Sequence, residues 1–496
     1  MWLGVTGCGW GEAKRPIGDP RPVADGRGVT PQRATATFWV GGVLLVVAAL
    51  ATTLLAPHFA IPVPSQGPVL PLVGLLGAAG LAYLAVAVAL PRLEAGGAQT
   101  TGWPLVWVVV VGLLLRLLLW PSGVILEDDL YRYLLDGALV VHGYNPYAWS
   151  PQAVMAAQEP ALAGVVAASE GLVADVNHPH LRTLYPPVAQ AFFALSYLIE
   201  PWSVAAWRGV LLAADLCSLA LGLALLGAMG RSPLWVALFW WNPLYVHLVF
   251  NTGHMEGVLV PFLLGGLLLA IHHRPLAASV ALAAATLVKF WPALLLPLVL
   301  RPLTLGRQLQ GAGLFAAIVA VGLIPQALAG LDRGAGLRAY TLYWRNNSPL
   351  FANAVEGMEA LLAPWGIGPA TAHSAVRLLC AVAALGLALA VAWRPPRCPA
   401  DWGRKFALVA AGTFFFSPAK FPWYGAWFIP LLPLAPWWPL LLLTPLLSLY
   451  YLRFALDSAG LGVWFDRAVV YVEYAPVWLA LAIVAWRRWR WGGGVP

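Results

Sequence analysis

From residue 38 to residue 486 the chain repeats one pattern: a long apolar stretch, a polar break, then another apolar stretch. The apolar runs are continuous rather than alternating, which predicts helices and argues against a closed β-barrel. Runs of about 15 to 25 residues match the hydrocarbon thickness of a bilayer. They fall at residues 38–56, 68–90, 104–120, 186–199, 204–229, 233–250, 257–271, 275–300, 311–330, 371–392, 405–417, 423–434, 438–452 and 474–486. Several are short or interrupted by proline, so the expected number of transmembrane helices is about 11 to 14. The expected fold class is all-α, a polytopic integral membrane protein.

The breaks define the organisation. Residues 1–37 are rich in Gly, Pro and Arg and read as a disordered cytoplasmic tail. Residues 38–490 read as one transmembrane domain, and 491–496 as a second cytoplasmic tail. Two larger polar segments, 121–185 and 331–369, are expected outside. A loop of that size is too small for a separate domain, so surface helices packed on the bundle are expected in the first.

Composition agrees. Of 496 residues 60% are hydrophobic and only 10% charged, against about 25% charged in soluble domains. Many of the 26 Trp stand at the ends of expected helices, as an interfacial belt would place them. The net charge of +8 comes from cations scattered or grouped at loop ends, which is a topology signal. It does not point to nucleic acid; membrane lipids are the expected surroundings. Lys14, Arg15, Arg21, Arg27 and Arg33 put the N-terminus inside, and Arg487, Arg488 and Arg490 do the same for the C-terminus. Three crossings then leave the 121–185 loop on the external face of a plasma membrane. Residues 121–200 hold eight of the 21 acids, with only Arg132 and Arg182 as cations. Arg231 and Arg274 fall outside in a simple count, which re-entrant pieces near Lys289 would repair.

Glu127, Asp128 and Asp129 stand where the third apolar run gives way to the external loop. Carboxylates are costly in hydrocarbon, so acids clustered at its edge suggest chemistry on a lipid-linked substrate. Read as a helix, the segment puts Asp129, Arg132, Tyr133 and Asp136 on one face. Arg132 then accounts for Asp136 as an intrahelical ion pair. Leu130, Leu134, Leu135 and Leu139 let the helix lie in the interface plane. Gly143 ends it, and Tyr144, Asn145, Pro146 and Tyr147 form an aromatic turn of a kind that stacks on sugar rings.

The stretch EDDLYRYLLDG through HGYNPYAWSP, followed by NHPHLRTLYPPVAQAFF, resembles the membrane-embedded glycosyltransferases of the GT-C superfamily. The similarity is greatest to the mannosyltransferase-like branch that uses polyprenyl-phosphate sugars. Its pattern falls on Asp128, Asp129, Tyr131, Arg132, Tyr133, Asp136, Gly137, Gly143, Asn145, Pro146, Tyr147, Tyr185, Pro186, Pro187 and Gln190. NPLYVHLVFNTGHMEG, LVKFWPALLLPLVLRP and SPAKFPWYGAWFIP resemble later segments of that branch, so the likeness runs over roughly residues 100–430. Leu135 stands where the branch usually has Trp, and Met255 and Glu256 where it has Asn or Asp.

The resemblance implies a GT-C-like bundle. It also implies transfer of a hexose, mannose first, from a polyprenyl-phosphate sugar to a glycan or glycolipid hydroxyl, with inversion. A carboxylate must take the acceptor proton; Asp129 is the first candidate and Asp128 its competitor. An acid doublet also permits a divalent metal, but no cofactor is expected and no metal ligand is assigned. Glu127, Arg132, Tyr133, Asp136, Asn145, Tyr147 and Tyr185 join the expected substrate site from the matched motifs. His178 and His180 in NHPH are spaced so that one can join a metal or a phosphate; otherwise they are solvated loop histidines. Lys289 lies in an apolar run and either reaches the phosphate or snorkels to the interface. His254 and Glu256 interrupt another run and either line a cavity or make a turn. Arg345 on the second external loop, with Lys420 and Tyr424, completes the expected substrate set. Arg208 and Asp215, seven apart on one helix face, are expected to be structural. A secondary transporter or lipid flippase is the alternative, but no internal repeat supports it.

Overall fold

The computed structural model describes residues 30–59, 67–95 and 101–491. The expected tail up to residue 29 lies outside them. Residues 31–37 differ from expectation: they are the first turns of helix α1 (Pro31–Leu55). Thr30 accepts a hydrogen bond from the Arg33 amide, and Pro31 occupies a first-turn position where its missing N–H costs nothing. At the other end the last helix runs on to Trp491, and residues 492–496 lie outside the described chain.

Among the described residues there is no strand. Two isolated bridges, Arg182 with Ala335 and Asn346 with Ala419, tie loops together. Six helices are long and apolar enough to cross a membrane, and five shorter apolar helices accompany them. The protein is an all-α polytopic membrane protein, as its hydrophobic pattern implies.

Helices α1, α2 (Val69–Ala95) and α3 (Trp103–Leu119) pack together at one side. The loop after α3 holds α4 (Asp129–Val141), α5 (Pro151–Ala156) and α6 (Pro160–Ala168). The chain then enters α7 (Pro187–Ile199), α8 (Val204–Ala228), α9 (Glu256–Ile271) and α10 (Pro275–Thr286).

Helix α4 is not an open amphipathic surface helix. It is buried on two sides, with every residue from Leu130 to Leu139 buried. One side packs on α7, where Tyr133 stacks on Phe193 with centroids 4.6 Å apart. Gly137 permits this contact, because a Cβ there would meet the Phe193 carbonyl oxygen at 2.4 Å. The other side, Tyr131, Leu135, Ala138 and Leu139, is covered by Val154, Leu162, Val165, Val173 and Val176. The loop brings its own apolar residues, and covering α4 removes them from water together.

The apolar runs expected at 233–250, 275–300 and 423–434 are broken. The first splits at Asn242–Pro243 and ends in a π turn over His247–Asn251. The second stops at Thr286 and resumes as 3₁₀ helix at Trp291, leaving Lys289 in the gap. The third is a series of 3₁₀ turns from Pro422. Proline cannot donate to the preceding turn, so each break frees backbone groups that need new partners. The amide of Val188 reaches the carbonyl of Leu287 at 2.9 Å. Asn251 accepts from the Ile125 amide and donates to Ser122 Oγ and the Gly123 carbonyl.

Arg208 donates to the carbonyls of Trp120, Ser122 and Asn251. It thereby fixes the exit of α3, the segment that leads to the acids. Asp215 is bound elsewhere, to Arg116 at 2.5 Å and to the Tyr245 hydroxyl at 3.0 Å. Both members of the Arg116–Asp215 pair are fully buried.

Candidate active site

Leu126, just before the acids, has a φ of +59°. An apolar residue rarely adopts this conformation, and it turns the chain abruptly from the α3 exit into α4. Glu127 points inward and is buried, and its Oε1 has no hydrogen-bond partner among the described residues. Burial, reinforced by Asp129 and Asp128, pushes its carboxyl well above the ordinary range. Asp128, which caps α4, and Asp129, its first residue, are half-buried.

One side chain joins the two aspartates. Asn177 Nδ2 donates to Asp128 Oδ1 at 2.6 Å and to Asp129 Oδ1 at 2.9 Å. Burial, with Asp129 beside it, raises Asp128 to about 6, while the Asn177 bond pulls the other way. The free oxygen Asp129 Oδ2 lies 3.9 Å from His254 Nδ1. His254 is fully buried, and neither ring nitrogen has a partner among the described residues. Burial and then the nearby Lys289 hold its imidazole neutral, well below the ordinary range. Its ring stacks on Trp423 at 4.0 Å, and Trp423 stacks in turn on Phe421 at 4.4 Å.

Beyond His254 the helix start supplies Glu256, whose Oε1 accepts from Lys289 Nζ at 2.5 Å. Lys289 keeps part of its surface exposed and sits 4.2 Å from the Tyr424 ring centre. The Tyr424 hydroxyl meets that of Tyr340 at 2.7 Å. Tyr340 packs on Trp344, and Trp344 meets the exposed ring of His178 at 4.7 Å, one residue from Asn177. Acids, histidines, one ammonium and a wall of aromatic rings thus follow one another around a single region.

Asp128, Asp129, His178, His254, Glu256, Lys289 and Tyr424 are therefore brought together. Tyr133 and Tyr185 lie beneath them, edge to face at 5.0 Å and buried. Arg345 is exposed, on the second of the two larger polar segments.

Four expectations change. Arg132 does not bond Asp136. It donates to the carbonyls of Asn177, His178 and Leu181, a row created because His178 turns the chain at a φ of +47°. Asp136 is buried instead under Gln190, whose amide donates to it at 2.9 Å; burial raises it to about 6. Tyr147 is not an open stacking platform: its ring is buried and its hydroxyl donates to the Tyr185 carbonyl. Asn145 Nδ2 donates to the Pro325 carbonyl and its Oδ1 accepts from the Tyr147 amide, so it braces the turn. Lys420 is buried, bonded to Ser348 Oγ and the Ser417 carbonyl, and burial lowers it to about 7.

Asn177 and Tyr340 were not singled out from the sequence. Asn177 opens the NHPH motif beside two histidines, and an amide offers no titratable signal. Among the described residues no group of three or more His, Cys, Asp or Glu side chains is gathered for a metal ion.

The model of glycosyltransferase family 87 matches residues 183–418. That match supports a membrane glycosyltransferase of the GT-C type. The family 87 segment takes in Tyr185, His254, Glu256, Lys289 and Arg345, and begins after the acid doublet. Glycosyltransferases of this kind take a sugar donor and an acceptor. No curated protein and no solved structure matches the chain.

Proposed function

We propose that the protein moves a hexose, mannose first, from a polyprenyl-phosphate donor to a hydroxyl of a glycan or glycolipid. The reaction takes place at the outer face of the plasma membrane, with both termini in the cytoplasm, and inverts the anomeric centre. One observation carries the reading: two carboxylates held by a single amide, part-exposed at a membrane exit, face a neutral histidine and an aromatic wall.

In this reading Asp129 Oδ2 takes the acceptor proton as the hydroxyl oxygen bonds to the anomeric carbon. The carbon–oxygen bond to phosphate breaks, and polyprenyl phosphate leaves with the electron pair. A positioned base contributes roughly 10²–10⁴ in rate. Asn177 keeps Asp129 Oδ1 occupied, which leaves Oδ2 turned toward His254. The two unpartnered nitrogens of His254 suit a sugar hydroxyl, one able to donate and one to accept. Lys289 supplies the nearest ammonium for the departing phosphate, and Glu256 holds it until then. Trp344, on the second external loop, meets His178 beside the acids, and Arg345 is the next residue along the chain.

The test is incorporation of labelled hexose from a synthetic polyprenyl-phosphate donor, using membranes that contain the purified protein. Product must form with wild type and vanish with Asp129→Asn. Uptake of label without incorporation would instead favour a transporter.

A further inference from the structure

The two external loops meet in an open depression of about 520 Å³, lined by Ala148, Ser150, His180, Arg182, Asp332 and Arg333 among others. Its walls are fastened to one another. The Arg182 amide donates to the Gly334 carbonyl at 2.9 Å, and the Gln152 amide to the Pro179 carbonyl at 2.8 Å. Arg182 Nη2 also donates to Asp332 at 2.5 Å. Two separate loops therefore build a shaped surface rather than a chance gap.

The lining selects for one kind of ligand. Its apolar side chains are only alanines, so it offers no groove for a lipid tail. Asp332 and Ser150 accept, while Arg182, Arg333 and His180 donate, and Asp332 keeps 67% of its side chain exposed. Arg182 Nε is sealed from water with no acceptor among the described residues. Donors and acceptors set among small residues match a chain of hydroxyls, each of which gives and takes a hydrogen bond.

Position ties the depression to the acids. His180 lies three residues from Asn177, at most about 11 Å of backbone. Arg132 holds that intervening segment by its carbonyls. A donor with its lipid tail approaches from the membrane; an acceptor glycan approaches through the external loops.

We infer that this depression is an acceptor subsite, which holds sugar units of an oligosaccharide adjoining the unit that receives the transferred hexose. The inference rests on the glycosyltransferase reading. It predicts that longer acceptors bind better because they reach His180, Arg182 and Arg333, while a single sugar does not.

The test uses a graded set of manno-oligosaccharides, from monosaccharide to tetrasaccharide, with the full-length protein in detergent. Two readouts are taken: binding of labelled tetrasaccharide with no donor present, and transfer to each acceptor. The variants Ala148→Trp, which fills the depression from an exposed position, and Arg333→Ala, also exposed, leave the buried packing alone. Tetrasaccharide binding should weaken about tenfold in Ala148→Trp and by a smaller factor in Arg333→Ala, on the scale of one or two lost hydrogen bonds. Transfer to the monosaccharide should stay within twofold of wild type. Equal tetrasaccharide binding in wild type and both variants overturns the subsite, as does no binding by wild type. Variant-sensitive binding without any transfer by wild type keeps the subsite and sinks the proposed reaction instead.

Discussion

Arg132 donates from α4 to the backbone carbonyl of Asn177. The side chain of Asn177 returns to that same helix and holds both aspartates at its start. Helix and loop therefore lock each other, with Arg132 reaching two further carbonyls, of His178 and Leu181.

A guanidinium can serve three carbonyls because its donors are spread in a plane; an ammonium cannot reproduce that fork. Arg132→Lys keeps the charge and should still lower transfer about tenfold or more, the scale of one hydrogen bond made by a charged group. Acceptor and donor KM should shift less than kcat, since the change acts on the placement of Asp129. Steady-state kinetics on the purified variant, with a melting curve to confirm folding, checks this.

Asp129→Asn removes the carboxylate whose free oxygen faces His254 and should reduce transfer by roughly 10²–10⁴. Asp128→Asn should cost less, because Asp129 keeps its own bond to Asn177. If both amides leave transfer intact, neither residue is the base. Incorporation of labelled hexose by each variant reads the difference.

The pH dependence follows from Asp128, which burial raises to about 6 from an ordinary value of 3.8. Its negative charge appears only above that pH. Transfer that depends on the ionised doublet should therefore rise as pH passes through about 6. Asn177→Ala removes the bond that opposes burial, so this acid limb should move to higher pH. Stability runs the other way. A group that binds its proton more tightly when folded stabilises fully below its unfolded value, and that share is lost as pH rises through the folded one. Thermal melts between pH 4 and 7 should show a smaller loss in Asp128→Asn than in wild type, the remainder coming from Asp136 and Glu127, which burial also raises.

Much of the architecture was legible because bilayer crossing imposes a length and an apolar composition that few other folds share. The acids stand out in the sequence for the same reason, as costly residues at the end of an apolar run. What escaped was long-range partner choice. Helical spacing offers Arg132 a carboxylate at Asp136, but the tertiary fold brings three carbonyls within reach and buries Asp136 under Gln190 instead. The long apolar loop residues Val154, Leu162 and Val165 gave no sign that they would cover α4, since their pairing spans distant positions. Lys289 and Glu256 lie 33 residues apart, and only the break between α10 and Trp291 lets them meet.

Arg116 and Asp215 make the severest stability prediction. Both are fully buried, 2.5 Å apart, and the guanidinium also donates to the carbonyls of Gly112 and Trp240. Removing one partner strands the other charge without water, at a cost of about 3–5 kcal/mol. Asp215→Ala should therefore melt well below wild type in the same detergent, whereas Glu359→Ala, at a part-exposed pair with His373, should change little.

Lys289 and Glu256 separate stability from chemistry. Lys289→Ala alone strands a buried carboxylate, so lower transfer in that variant could reflect a damaged fold as easily as a lost phosphate contact. The double variant Lys289→Met with Glu256→Gln removes both charges and keeps the volume. Its melting temperature should recover most of the loss seen in the single variant. Its transfer should not recover, because the departing phosphate still lacks a cation, and the donor KM should rise about tenfold for the missing charged hydrogen bond. Recovery of both melting temperature and transfer would assign the pair to structure alone and send the search for the phosphate ligand to Arg345, exposed on the facing loop.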